Sequence, residues 1–187
     1  MVDLEVGPNV ERAQTSREKG GNVKLQKLLR SVVIALASVS LAESAIAAPQ
    51  DRPYGGSCST VVTPLTPPGV FPQELHIDYD CTLAHLGHAT AVAIQVVTPI
   101  DQSGVLVTAQ ITNLTTYTAA NGDTLNASFT GTALLNVETG QVRFIGTETF
   151  DGGSGRFADA SGSADLDGSG SFFTNIAFFT AKGRIAY

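Results

Sequence analysis

From Gln73 onward the chain alternates. Leu75, Ile77, Tyr79 and Cys81 fall on one side of an extended backbone, and Glu74, His76, Asp78 and Asp80 fall on the other. That period of two marks a half-buried β-strand. The same pattern predicts strands over residues 89–97, ended by Pro99, and over 104–117 after a turn at 101–104, while 82–87 holds no firm period. Ala120-Asn-Gly-Asp123 supplies a hairpin turn into a strand over 123–136, because asparagine and glycine tolerate the left-handed angles such turns need. Glu138-Thr-Gly140 marks another hairpin, into residues 141–150. Beyond the glycine-rich stretch that follows, the pattern predicts a short strand over 156–165, a turn at Asp167-Gly-Ser-Gly170, and a last strand over 171–187 broken near Lys182-Gly183. Before Gln73, residues 48–72 are rich in proline and glycine and read as an extended arm with one strand at 57–63. No stretch after Ala48 holds helical periodicity beyond a turn or so. An all-β domain over 73–187, built from about eight strands joined by short turns, fits a closed barrel or a sandwich.

The first quarter of the chain reads as targeting rather than fold. Lys24, Lys27 and Arg30 precede a mostly apolar run over 31–41, and Ala45-Ile46-Ala47 offers the small residues a signal peptidase reads. A signal peptide over 23–47, cleaved after Ala47, predicts a secreted or periplasmic bacterial protein. Ser38, Ser40, Glu43 and Ser44 interrupt the run before it reaches the roughly 20 apolar residues of a membrane span. Residues 1–22 are polar and mixed in charge, and read either as untranslated, with the start at Val23, or as a disordered extension.

About 140 of the 187 residues then remain, enough for one core. They carry five Lys or Arg against twelve Asp or Glu. So acidic a surface suits solubility and argues against nucleic acid and anionic membrane as partners; none of either is expected once the signal peptide is gone. Cys58 and Cys81 both lie in this part, where an exported chain meets oxidant, and a disulfide between them is expected. Without Cys-x-x-Cys spacing they make a poor metal site.

The most specific stretch is Asp151-Gly-Gly-Ser-Gly-Arg-Phe-Ala-Asp-Ala-Ser-Gly162. Gly152, Gly153, Gly155 and Gly162 allow backbone angles that a β-carbon forbids, so the stretch reads as a structural turn that also includes Arg156 and Phe157. It does not fit a calcium-binding β-roll, whose aspartate would stand where Phe157 does, and no second unit follows. With the closing Lys182-Gly-Arg-Ile-Ala-Tyr187, it resembles the allene oxide cyclase and dirigent-like barrels, in which Gly-Gly-Thr-Gly-Lys/Arg-Phe precedes small residues; Ser154 stands where threonine is usual. The resemblance implies an eight-stranded antiparallel, calycin-like barrel, often a homo-oligomer, with an apolar lumen. It also implies a cyclase or isomerase that steers a reactive intermediate.

Strand faces nominate a pocket. Val142, Phe144, Gly146, Glu148 and Phe150 share a face, which sets a carboxyl among large apolar groups, where it must find donors or stay protonated. Asn113 and Tyr117 share a face with Val105, Val107, Ala109 and Ile111. Asn113, Tyr117 and Glu148 are therefore the candidate ligand-binding residues, with Glu148 the candidate catalytic group. The simpler account pairs Glu148 with Arg143, Arg156 or Arg184. His76, Asp78 and Asp80, with His85 and His88 nearby, read as a solvated strand face rather than a metal site. No Gly-x-Ser-x-Gly elbow is present, and no cofactor is expected. Two sequons, at Asn113 and Asn126, matter only in a eukaryotic secretory route.

Three functions follow: a barrel that holds a small apolar ligand, an isomerase-type enzyme, or a structural barrel. A lumen packed solid by Phe144, Phe150, Phe172 and Phe178 would favour the last.

Overall fold

A computed structural model describes residues 49–67 and 69–187, and the expected signal peptide and the extension before it lie outside them. Eight strands run antiparallel in chain order: β1 (Asp51–Pro64), β2 (Gln73–Leu83), β3 (Gly87–Ser103), β4 (Leu106–Ala119), β5 (Thr124–Asn136), β6 (Gln141–Gly153), β7 (Ser161–Ser171) and β8 (Ile176–Ala186). Each pairs with its sequence neighbour, and β8 closes on β1 from Asp51↔Ala186 to Val61↔Ile176. The result is the closed eight-stranded antiparallel barrel that the resemblance implies, one of the two architectures the strand pattern fits. Closure leaves no unpaired edge to template aggregation. Residues Ala47–Tyr187 form one compact unit, so the barrel needs no strand from the segment before it.

Several boundaries differ from the sequence reading, each for a tertiary reason. The expected arm is instead a complete barrel strand, so the barrel starts at Asp51 rather than Gln73. Its Pro53, Gly55 and Gly56 are not turn residues. Gly56 (φ +156°) lies where a β-carbon would collide with the backbone of Thr82, so glycine lets β1 and β2 approach. Pro99 does not end its strand; β3 continues to Ser103 past a register shift between Pro99 and Asp101. Asp167-Gly-Ser-Gly170 is strand, not turn, because the Phe144 ring occupies the space above Gly168 and Ala177 crowds Gly170. The actual β7–β8 turn is Phe172 to Asn175, with Asn175 at φ 58°. Residues 156–165 are not one strand: Gly155–Phe157 is a 3-10 turn and β7 starts at Ser161. The last strand is continuous through Lys182 and Gly183.

Inward positions follow the alternation, and the two halves of the lumen differ. Three connections meet at one end, over residues 84–86, 120–123 and 154–160, and the start of β1 meets the end of β8 there too. That half is packed with Tyr54, Leu83, Leu125, Phe150, Phe157 and Ile185. The glycine-rich stretch is its cover. Phe157 is wholly buried against Tyr187, with ring centroids 4.9 Å apart. Ser154 Oγ accepts from the Thr124 amide at 3.0 Å, and Arg156 donates to the His85 carbonyl at 2.7 Å and pairs with Asp123 at 3.5 Å. The stretch therefore ties all three closed-end connections together.

The Cys58–Cys81 disulfide forms across directly opposed residues of β1 and β2 and faces the core. Glycine also shapes the walls. Gly131 and Gly146 oppose each other across β5 and β6, and a β-carbon on either would strike the Phe129 ring. The ring lies flat against the barrel wall because both positions lack side chains. Gly146→Val is expected to cost about 1–3 kcal/mol by displacing that ring, and a urea melt within about 0.5 kcal/mol of wild type would refute the account.

Candidate ligand-binding site

Four connections, over 65–72, 104–105, 137–140 and 172–175, surround the other end, and there the lumen is open. A cavity of about 680 Å³ runs inward from it. Its upper walls are apolar, among them Val62, Leu75, Val107, Leu135, Val142 and Phe144, all half-buried. Deeper wall residues, Ile77, Ala109, Ile111, Ala133 and Phe179, are buried. Ala109 on β4, Ala133 on β5 and Ala177 on β8 leave room that a larger residue would take.

Alternation sets the floor. Even positions of β6 and odd positions of β2 and β4 point inward, which brings Glu148, Tyr79, Asn113, Thr115 and Tyr117 together. Tyr117 Oη donates to Glu148 Oε1 at 2.8 Å across 31 positions of sequence. Thr115 Oγ1 donates to Asn113 Oδ1 at 2.9 Å, and Asn113 Nδ2 donates to Tyr79 Oη at 3.3 Å. Asn113, Tyr117 and Glu148, the three residues the sequence nominated, all line the cavity. Tyr79 and Gln95 join them unforeseen, with Thr115 behind Asn113; the alternation that put Tyr79 inward was the available signal.

Glu148 is 2% exposed, and its Oε2 and the Tyr54 hydroxyl are buried without a hydrogen-bond partner among the described residues. Burial raises its carboxyl from the usual 4.5 to about 7, against the opposing pull of the Tyr117 hydrogen bond. Burial likewise pushes the Tyr54, Tyr79 and Tyr117 hydroxyls upward, reinforced by the Glu148 charge. The arginines suggested as its partners are all engaged on the outer surface: Arg143 with Asp167, Arg156 with Asp123 and Arg184 with Asp51. Among the described residues, no Lys, Arg or His lines the cavity. Glu148 is thus a buried acid without a counter-cation, able to donate a proton when neutral and to accept one when charged.

The four phenylalanines do not fill the lumen. Phe150 lies in the packed half against Tyr54, Phe144 packs edge-on to Phe179 along the wall, and Phe172 stands at the mouth. Phe178 faces outward and is 60% exposed. The histidines stay outside the lumen: His76 bonds Asp78, His88 pairs with Asp80 across β2 and β3, and His85 donates to the Pro53 carbonyl. Among the described residues, no three His, Cys, Asp or Glu side chains converge as metal ligands, and no helix is long and apolar enough to cross a membrane.

Compared with known protein families, curated proteins and solved structures, the chain matches none.

Proposed function

We propose that this protein holds a small, mostly apolar molecule in the open half of its lumen. One observation carries the reading: an apolar cavity of about 680 Å³, open at one end, with the Tyr117–Glu148 pair at its floor. Small-molecule sites generally combine apolar walls with a few convergent polar groups. The charge of the lining narrows the class. A carboxylate or phosphate drawn to the floor would lose its water, meet no cation and lie beside Glu148, which is costly. The inner end of the ligand is therefore neutral or cationic, a hydroxyl or an amine.

Protein recovered from its host and extracted with organic solvent is expected to release such a compound, read by mass spectrometry. Val107→Trp, which sets an indole in the upper lumen, is expected to lower retention at least about tenfold, equivalent to about 1.4 kcal/mol of binding. Failure to release any compound, with no uptake of the neutral probe N-phenyl-1-naphthylamine, would overturn the reading.

A second reading, the isomerase or cyclase implied by the resemblance, draws support from Glu148. A carboxyl titrating near 7 suits general acid–base work, and a water-poor pocket holds a reactive intermediate in one conformation. Glu148→Gln would then abolish turnover of the recovered compound while sparing its retention. Placement among the allene oxide cyclase and dirigent-like barrels rests on the glycine-rich stretch and draws support from the eight-strand closure. The Cys58–Cys81 disulfide supports a secreted or periplasmic location, where such bonds persist.

A further inference from the structure

The barrel is polarised along its axis. Among the described residues, every large apolar side chain exposed in a connection between strands stands at the open end: Val70 and Phe71 after β1, Val105 after β3, Val137 after β5, Phe172 and Phe173 after β7, with Leu65 beside them. Their exposures run from 39% to 63%. The closed-end connections carry polar groups instead, His85, Asn121, Asp123, Arg156 and Asp159, with Asp51, Arg52 and Arg184 close by. An apolar ring of this kind marks an interaction surface, since isolated soluble domains rarely gather such side chains in one place.

The rings are held outward rather than collapsed into the lumen. Phe173 covers Gly140, where a β-carbon would collide with its ring, and packs edge-on to Phe172 at 4.9 Å. The Phe172 amide donates to the Gly140 carbonyl at 3.0 Å, which joins two of the four connections. Phe71 and Phe172 both edge the cavity, so part of the rim continues directly into its apolar walls, beside Gln73, Gln102 and Asn175.

Charge selects the occupant. Among the described residues, Glu74, Asp101 and Glu138 are the charged ones at this end, and Arg143, on the outer flank of β6, is paired with Asp167. An anionic membrane needs basic residues that the rim lacks. A second copy, mouth to mouth, would oppose acid to acid and seal the cavity. A neutral lipid surface accepts apolar side chains between its headgroups and meets no charge conflict.

We propose that the rim docks the open end of the barrel on neutral, zwitterionic lipid, so that an apolar molecule passes between lipid and lumen without crossing water. Docking itself does not depend on which molecule the lumen holds.

The test is flotation of residues 48–187, whose strands and core are self-contained, with phosphatidylcholine and with phosphatidylserine vesicles. The comparison is a variant carrying Val70→Ser, Val105→Ser and Phe173→Ser, none of which lines the cavity. Wild type is expected to float with phosphatidylcholine, insensitive to salt, and the variant to float at least about tenfold less, because three exposed apolar side chains that lipid would bury are lost. Uptake of N-phenyl-1-naphthylamine and the melting temperature are expected to be unchanged. Equal flotation of variant and wild type would overturn the proposal. So would a salt-sensitive preference for phosphatidylserine, or no flotation together with a dimer that the variant abolishes. Because probe uptake is read separately, loss of docking with intact uptake would leave the ligand reading standing.

Discussion

At pH 8, replacing Glu148 by glutamine is expected to make the folded protein more stable by about 3 kcal/mol. In the folded state burial holds the carboxyl at about 7, whereas in the unfolded chain it returns to its ordinary 4.5. Below 4.5 both states carry the proton and the group contributes no pH dependence. Between 4.5 and about 7 the folded state binds more protons than the unfolded state, so stability falls as pH rises; above 7 both are ionised and the loss is complete. A folded carboxyl raised in this way stabilises on the acid side and loses that contribution as pH climbs. Glutamine keeps an acceptor for the Tyr117 hydroxyl and removes the titration. Urea melts of both proteins at pH 4 and pH 8 measure it, and the difference between them cancels the carboxylates they share. A difference that stays constant with pH, or a variant less stable at pH 8, would refute the burial of an uncompensated acid. It would also remove the physical basis for Glu148 as the group that reads the inner end of a ligand.

Loss of the Cys58–Cys81 disulfide, by Cys58→Ala with Cys81→Ala, is expected to cost about 3 kcal/mol and to lower the melting temperature by roughly 10 °C. The two cysteines lie 23 positions apart, and the bond restricts the unfolded chain over that loop. Its location adds to the effect. β1 pairs with β2 on one side and β8 on the other, so it is the strand on which closure depends. The closed loop also includes residues 65–72, which carry Val70 and Phe71 of the rim. Melts with and without reductant provide the measurement, and coincident curves would show that the strand pairing alone holds β1.

Much of the site was legible because alternation is a local property. Knowing only that residues 141–150 form a strand puts Glu148 with Phe144 and Phe150, and the same count puts Asn113 and Tyr117 with Ile111. The structure keeps all of these inward. Whether Glu148 meets Tyr117 or an arginine depends instead on the registers of β4, β5 and β6, and no local pattern specifies three registers at once. The errors arose where composition and context conflict. Pro53, Gly55 and Gly56 look like an arm, yet β8 supplies strand partners for all three and β2 a second one for Gly56. Gly168 and Gly170 look like a turn, yet they make space for Phe144 and for β8, while the turn itself carries Phe172 and Phe173.

The sequence by itself determined that the part after residue 48 is all-β, that its strands number about eight, that Cys58 and Cys81 were available to pair, and that one acid sits on an apolar face. Each follows from neighbours a few residues apart, within reach of periodicity and composition. The tertiary structure alone decided that β1 closes the barrel, that one half of the lumen is packed and the other open, and that apolar side chains from four separate connections form a ring around the opening. Those features exist only once residues distant in the chain are brought to one end of the barrel, and closure does that.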